Sequence, residues 1–99
     1  MLPISVDQAT IADFCRRWHI TEFSLFGSVL RDDFRPDSDV DVLVVFAPDT
    51  EFGWEDWEKM EQELEAIFGR PVDLVEKDAV RNPFRRREIL KTHQVVYAA

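Results

Sequence analysis

Glu22-Phe23-Ser24-Leu25-Phe26-Gly27-Ser28, ten intervening residues, then Asp39-Val40-Asp41-Val42-Leu43-Val44-Val45-Phe46: this stretch decides the fold. Glu22–Phe26 is short, apolar-rich and closed by glycine, which predicts a strand ending in a tight turn. Val40–Phe46 is β-branched almost throughout and predicts the central strand. Alternation puts Val40, Val42, Val44 and Phe46 on one face and Asp39, Asp41, Leu43 and Val45 on the other. Beyond its acidic end both faces are apolar, so both need covering, by the chain's own helices or by a partner.

The same stretch carries the candidate chemistry. Asp39 and Asp41 are two apart, so on a strand both carboxylates project to one side. Hard oxygen donors in that arrangement suit one or two Mg²⁺ ions. Gly27-Ser28 stands where a strand gives way to a short predicted helix over residues 28–34. Glycine allows close backbone approach to a phosphate, and a helix N-terminus offers unpaired N–H groups. The Ser28 hydroxyl adds a donor, and Arg31 could reach the same phosphates. Each half taken alone also suits a structural role, Asp39–Asp41 as a solvated strand entry and Ser28 as a helix cap. It is their order and spacing, between two strands, that point to nucleotide chemistry.

Working outward, Ser5 and Gln8 form a capping-box pattern, and Ile11, Phe14, Cys15 and Trp18 recur at helical spacing. Trp54, Trp57, Glu61, Leu64, Ile67 and Phe68 do the same, closed by Gly69 as a C-terminal cap. The two tryptophans are expected in the core. Pro71–Glu76 predicts a third strand, Asn82-Pro83 opens a last helix, and Gln94–Tyr97 suggests a fourth strand. The expected fold is therefore α/β (α+β), with three to four strands in a small mixed sheet and helices packed on it. Residues 1–99 are expected to form one domain.

Composition bounds the rest. Twenty acidic against twelve basic residues give a net charge of −8. Duplex binding needs many cations against phosphates, so direct nucleic-acid binding is not expected. The same field repels ATP unless a divalent cation bridges the two. Cys15 is the single cysteine and is expected in the core. No signal peptide is visible, and no apolar run approaches the roughly 20 residues that span a bilayer, so a cytoplasmic protein is expected, without membrane association. His19 and His93 lack metal-ligand spacing and are expected to be structural or solvent-facing. Arg85-Arg86-Arg87 is a local basic run that suits phosphates, a partner or a solvated helix face.

The run Leu25-Phe26-Gly27-Ser28-Val29-Leu30-Arg31 through Pro36-Asp37-Ser38-Asp39-Val40-Asp41-Val42-Leu43-Val44 resembles the signature of the DNA polymerase β nucleotidyltransferase superfamily. More narrowly it resembles the minimal nucleotidyltransferases, and the ending Asn82-Pro83-Phe84, with Arg86 and Ile89-Leu90, is similar to theirs as well. The resemblance implies a polymerase β-type core in which Asp39 and Asp41 bind catalytic metal. It implies that Gly27, Ser28, Arg31 and Ser38 bind the nucleotide. A third carboxylate on a neighbouring strand would complete the site. Asp73 is its candidate, with Glu76 the alternative on the opposite strand face. Arg86 is the basic residue that best matches the family. The implied activity is Mg²⁺-dependent transfer of AMP from ATP to a tyrosine of a HEPN-domain ribonuclease toxin encoded nearby. Two other outcomes stay open: transfer to a small-molecule acceptor, and an antitoxin that acts by binding alone.

Overall fold

A computed structural model of the chain describes residues 7–27 and 39–99. Its elements are α1 (Gln8–Arg17), β1 (Ile20–Phe26), β2 (Val40–Phe46), α2 (Trp54–Phe68), β3 (Val72–Glu76), α3 (Pro83–Thr92) and β4 (Gln94–Ala98), with a 3₁₀ turn at Lys77–Ala79. The strands form one sheet in the order β3-β2-β1-β4. β1 runs antiparallel to both β2 and β4, while β2 and β3 are parallel and joined through α2. A mixed four-stranded sheet with helices is what the hydrophobic pattern requires. The helix expected over residues 28–34 lies outside the described residues.

The two faces of β2 find different cover. Val40, Val42 and Val44 are fully buried with Phe23 and Leu25 of β1, against Ile11, Phe14 and Cys15 of α1 and Met60 and Leu64 of α2. Phe14 meets Phe23 edge-on, with centroids 6.2 Å apart at 83°. Each such buried side chain contributes about 1.5–3 kcal/mol. On the opposite face Leu43 and Phe26 are buried beneath Ile89, with Leu90, Val75 and Val80 packed around them. α3 therefore covers the second face at Leu43 and Phe26. Burial also pushes the Cys15 thiol up to about 12, consistent with a core residue rather than a reactive one.

Local signals explain most helix ends. Gly69 closes α2 at φ 71°, its N–H donating to Glu65 O at 2.8 Å. Asn82 caps α3 by accepting from the Phe84 and Arg85 N–H groups, with Pro83 in the first turn. Two expectations need correction. The N-cap of α1 is Asp7, which accepts from Ala9 N at 3.1 Å and from Thr10 Oγ1 at 2.8 Å, whereas Ser5 of the expected Ser5–Gln8 box lies outside the described residues. Those bonds, led by Thr10's, favour the ionised carboxylate and hold it below its ordinary value. Trp54 is not core, for it lies 73% exposed in the first turn of α2, while Trp57 packs against the main cluster. The apolar stripe that faces the sheet starts at Trp57.

Candidate active site

The antiparallel pairing of β1 with β2 and the parallel pairing of β2 with β3 bring one end of each strand together. Phe26 at the end of β1 lies opposite Asp41 near the start of β2, and Asp41 lies opposite Asp73 on β3. Opposed residues point to the same face, so Asp41 and Asp73 share the side that α3 covers further along. Val40 N donates to Pro71 O at 2.9 Å, fastening the two strands where the carboxylates begin. Asp39 precedes β2 by one residue and is exposed, as is Asp73, whereas Asp41 is half-buried.

Gly27 explains why Asp41 can sit there. Its φ is +72°, in the left-handed region. A Cβ built on it would overlap Asp41 Oδ2, with the Asp41 carboxyl carbon 3.1 Å away. Only glycine fits both the backbone turn and the carboxylate lying over it. Ser28, Arg31 and Ser38 lie outside the described residues.

Asp39, Asp41 and Asp73 suit a hard divalent cation in donor chemistry, and two of them are in register on adjacent strands. They do not close into a cage here, since among the described residues no three Asp, Glu, His or Cys side chains are grouped closely enough to hold a metal ion. Glu76, the alternative third carboxylate, pairs in register with Val44 and so lies on the other strand face. An acid not expected at this edge is Glu61 on α2. Burial first, and then the charge of Asp73, push its carboxyl above the ordinary range. Its sequence signal was an acid inside an apolar stripe, four residues after Trp57 and three before Leu64.

A cleft of about 360 Å³ opens over Phe26, Gly27 and Asp41. That volume is in the range that holds a small ligand. Arg85, Glu88, Ile89 and Thr92 of α3 line it, and the 85–88–92 spacing is one helix face. None of these α3 residues was singled out for this role from sequence except as part of the basic run. Arg86, the expected family match, turns away from the cleft. Its Nη1 donates to Lys77 O at 2.7 Å and Val80 O at 3.5 Å, tying α3 to the 3₁₀ turn. We expect Arg86→Ala to cost about 1.5–3 kcal/mol of stability in urea unfolding, the range for hydrogen bonds that involve a charged group. Activity per folded molecule should stay near that of the parent.

The histidines take structural or solvent positions. His19 is exposed in a left-handed turn at φ 58° after α1. His93 is half-buried, with Nδ1 2.9 Å from Leu90 O and Nε2 4.0 Å from Glu22. Among the described residues, no helix is long and apolar enough to cross a membrane.

The strand ends of this mixed sheet thus gather Asp41 and Asp73 beside a turn glycine, under a small cleft. The chain belongs to the nucleotidyltransferase domain family, whose model matches residues 8–96, and within it to the protein adenylyltransferases typified by MntA. Protein adenylyltransferase MntA of Thermococcus cleftensis is 33% identical over 81 residues, covering 82% of this chain and 77% of that protein. In structure the chain resembles a toxin–antitoxin complex with AMP-PNP, at a TM-score of 0.74 and 22% identity over 95% of this chain and 75% of the other. It also resembles the MNT antitoxin in complex with tri-AMPylated HEPN toxin of Shewanella oneidensis, at a TM-score of 0.65 and 21% identity, with 93% and 70% covered. At those identities the likeness is one of fold.

Proposed function

We propose that this chain is an antitoxin that transfers AMP from ATP to a tyrosine of a cognate HEPN ribonuclease toxin, with Asp39, Asp41 and Asp73 as its catalytic and metal-binding residues. The observation that carries the proposal is Asp41, in register with Asp73 and laid over Gly27 at the floor of a cleft. The acceptor is supported by the likeness to MntA and to a complex of an MNT antitoxin with AMPylated HEPN toxin.

The reaction balances as a single displacement. The tyrosyl oxygen bonds to the α-phosphorus while the bond from that phosphorus to the bridging oxygen of the β-phosphate breaks. Pyrophosphate leaves, and the tyrosyl proton passes to Asp73 acting as general base. Asp39, Asp41 and Asp73 would hold one or two Mg²⁺ ions, which when bound offset charge on the phosphates and on the attacking and leaving oxygens. Gly27, with Ser28 and Ser38, receives the phosphates at close backbone approach, and Arg31 adds a cation. Holding both reactants in one cleft converts an encounter into an oriented step.

The test is direct. Incubate the protein with ATP, Mg²⁺ and the purified HEPN toxin encoded beside it, then measure intact mass and map the modified residue. One or more adenylyl groups on a toxin tyrosine is the expected result. An unmodified toxin that is still suppressed would leave binding alone as the explanation. AMP on a small acceptor instead would move the activity to the other class of transfer.

A further inference from the structure

The geometry points to Arg85 as the residue that grips the outer phosphates of the nucleotide, those that leave as pyrophosphate; this rests on the nucleotidyl-transfer reading above. The basic run at 85–87 is ambiguous in sequence, and the fold separates its members. Arg86 turns its Nη1 to the carbonyls of Lys77 and Val80 and does not line the cleft. Arg85 lies one residue earlier, on the face of α3 that lines the cleft with Gly27 and Asp41. It is the one basic side chain lining that cleft among the described residues. Its side chain makes no ion pair among the described residues, whereas Arg17 and Lys77 are each paired with acids.

Charge distribution supports the same role. The chain carries −8 overall, yet residues 81–91 hold Arg81, Arg85, Arg86, Arg87 and Lys91 against Glu88 alone. The cleft thus has an acidic floor at Asp41 and a cation on its helical wall. ATP carries most of its charge beyond the α-phosphate, and an acidic floor repels that charge. A guanidinium on the facing wall offsets it and can hold phosphate oxygens in a two-pronged contact. Its position is rigid, for the Asn82 cap and Pro83 fix the first turn of α3 and Ile89 anchors the helix on the sheet.

Equilibrium titration of the intact protein with ATP and with AMP, in the presence of Mg²⁺, tests this apart from turnover. Arg85→Ala should weaken ATP binding about 10- to 100-fold, the scale of one charge-assisted contact, and change AMP binding little. Arg85→Lys should recover part of the loss. The thermal midpoint should stay at the parent value because the side chain is exposed. Unchanged ATP affinity in Arg85→Ala, or an equal loss for AMP, overturns the assignment. Loss of toxin binding with ATP binding intact overturns it too and makes Arg85 a partner contact. If the parent transfers no AMP to any acceptor yet binds ATP through Arg85, the activity falls while this inference stands. If the parent transfers AMP and Arg85→Ala matches it in KM for ATP, only this inference falls.

Discussion

Asp41→Asn will reduce AMP transfer on the order of 10³-fold or more while leaving the protein folded. The size follows from what one charged group at a reacting centre supplies, since removing even a neutral donor there costs about 10²–10³. Asparagine keeps the volume of the side chain, so the close fit over Gly27 survives and the loss isolates charge and ligand chemistry. Asp73→Asn should fall in the same range, because its register partner on β2 is Asp41 and the two are proposed to serve one site. The double variant should be little worse than the worse single one, as expected for residues acting as a unit. Initial rates of toxin modification by intact mass, with circular dichroism as the folding control, decide it. Two independent, multiplicative losses would mean that Asp41 and Asp73 do not share a reaction step. Full activity in Asp41→Asn would remove the carboxylate pair from the mechanism.

The part of this site that could be read in advance was the part written in local pattern. Val40–Phe46 is β-branched and forms β2 over those same residues, and alternation alone assigns its two faces. Gly69 and Asn82-Pro83 mark helix ends because cap chemistry is set by a few adjacent residues. Asp41 opposite Asp73 follows from strand parity once the two strands are parallel neighbours. What could not be read is set by how distant pieces land on one another. Arg85 rather than Arg86 lines the cleft because α3 seats Ile89 on Phe26 and Leu43, and that seating fixes the rotation of the helix. Trp54 shares a helical period with Trp57 but precedes the turn that reaches the sheet, so period alone placed it wrongly in the core. Asp7 caps α1 because its carboxylate takes both a backbone N–H and the Thr10 hydroxyl.

The two left-handed glycines offer a second large effect with a built-in control. Gly27 and Gly69 have nearly the same φ, +72° and +71°. Alanine at either pays the left-handed penalty of about 1–2 kcal/mol. Around Gly69 a new Cβ meets nothing within 4 Å, so the backbone term is the whole effect. Around Gly27 the methyl would occupy the space of the Asp41 carboxylate, and either that side chain or the turn must move. Gly27→Ala should therefore be the less stable variant in urea unfolding. It should also lose at least about 100-fold in AMP transfer, since a displacement near 1 Å at a reacting group costs that much. Gly69→Ala, which closes α2 four residues before Asp73 but puts its Cβ where no atom lies within 4 Å, should transfer AMP close to the parent rate under conditions where it is folded. Equal activity in the two variants would show that the contact between Gly27 and Asp41 only shapes the turn. A large loss confined to Gly27→Ala means that the glycine holds a catalytic carboxylate in place through the one dimension its missing side chain leaves open.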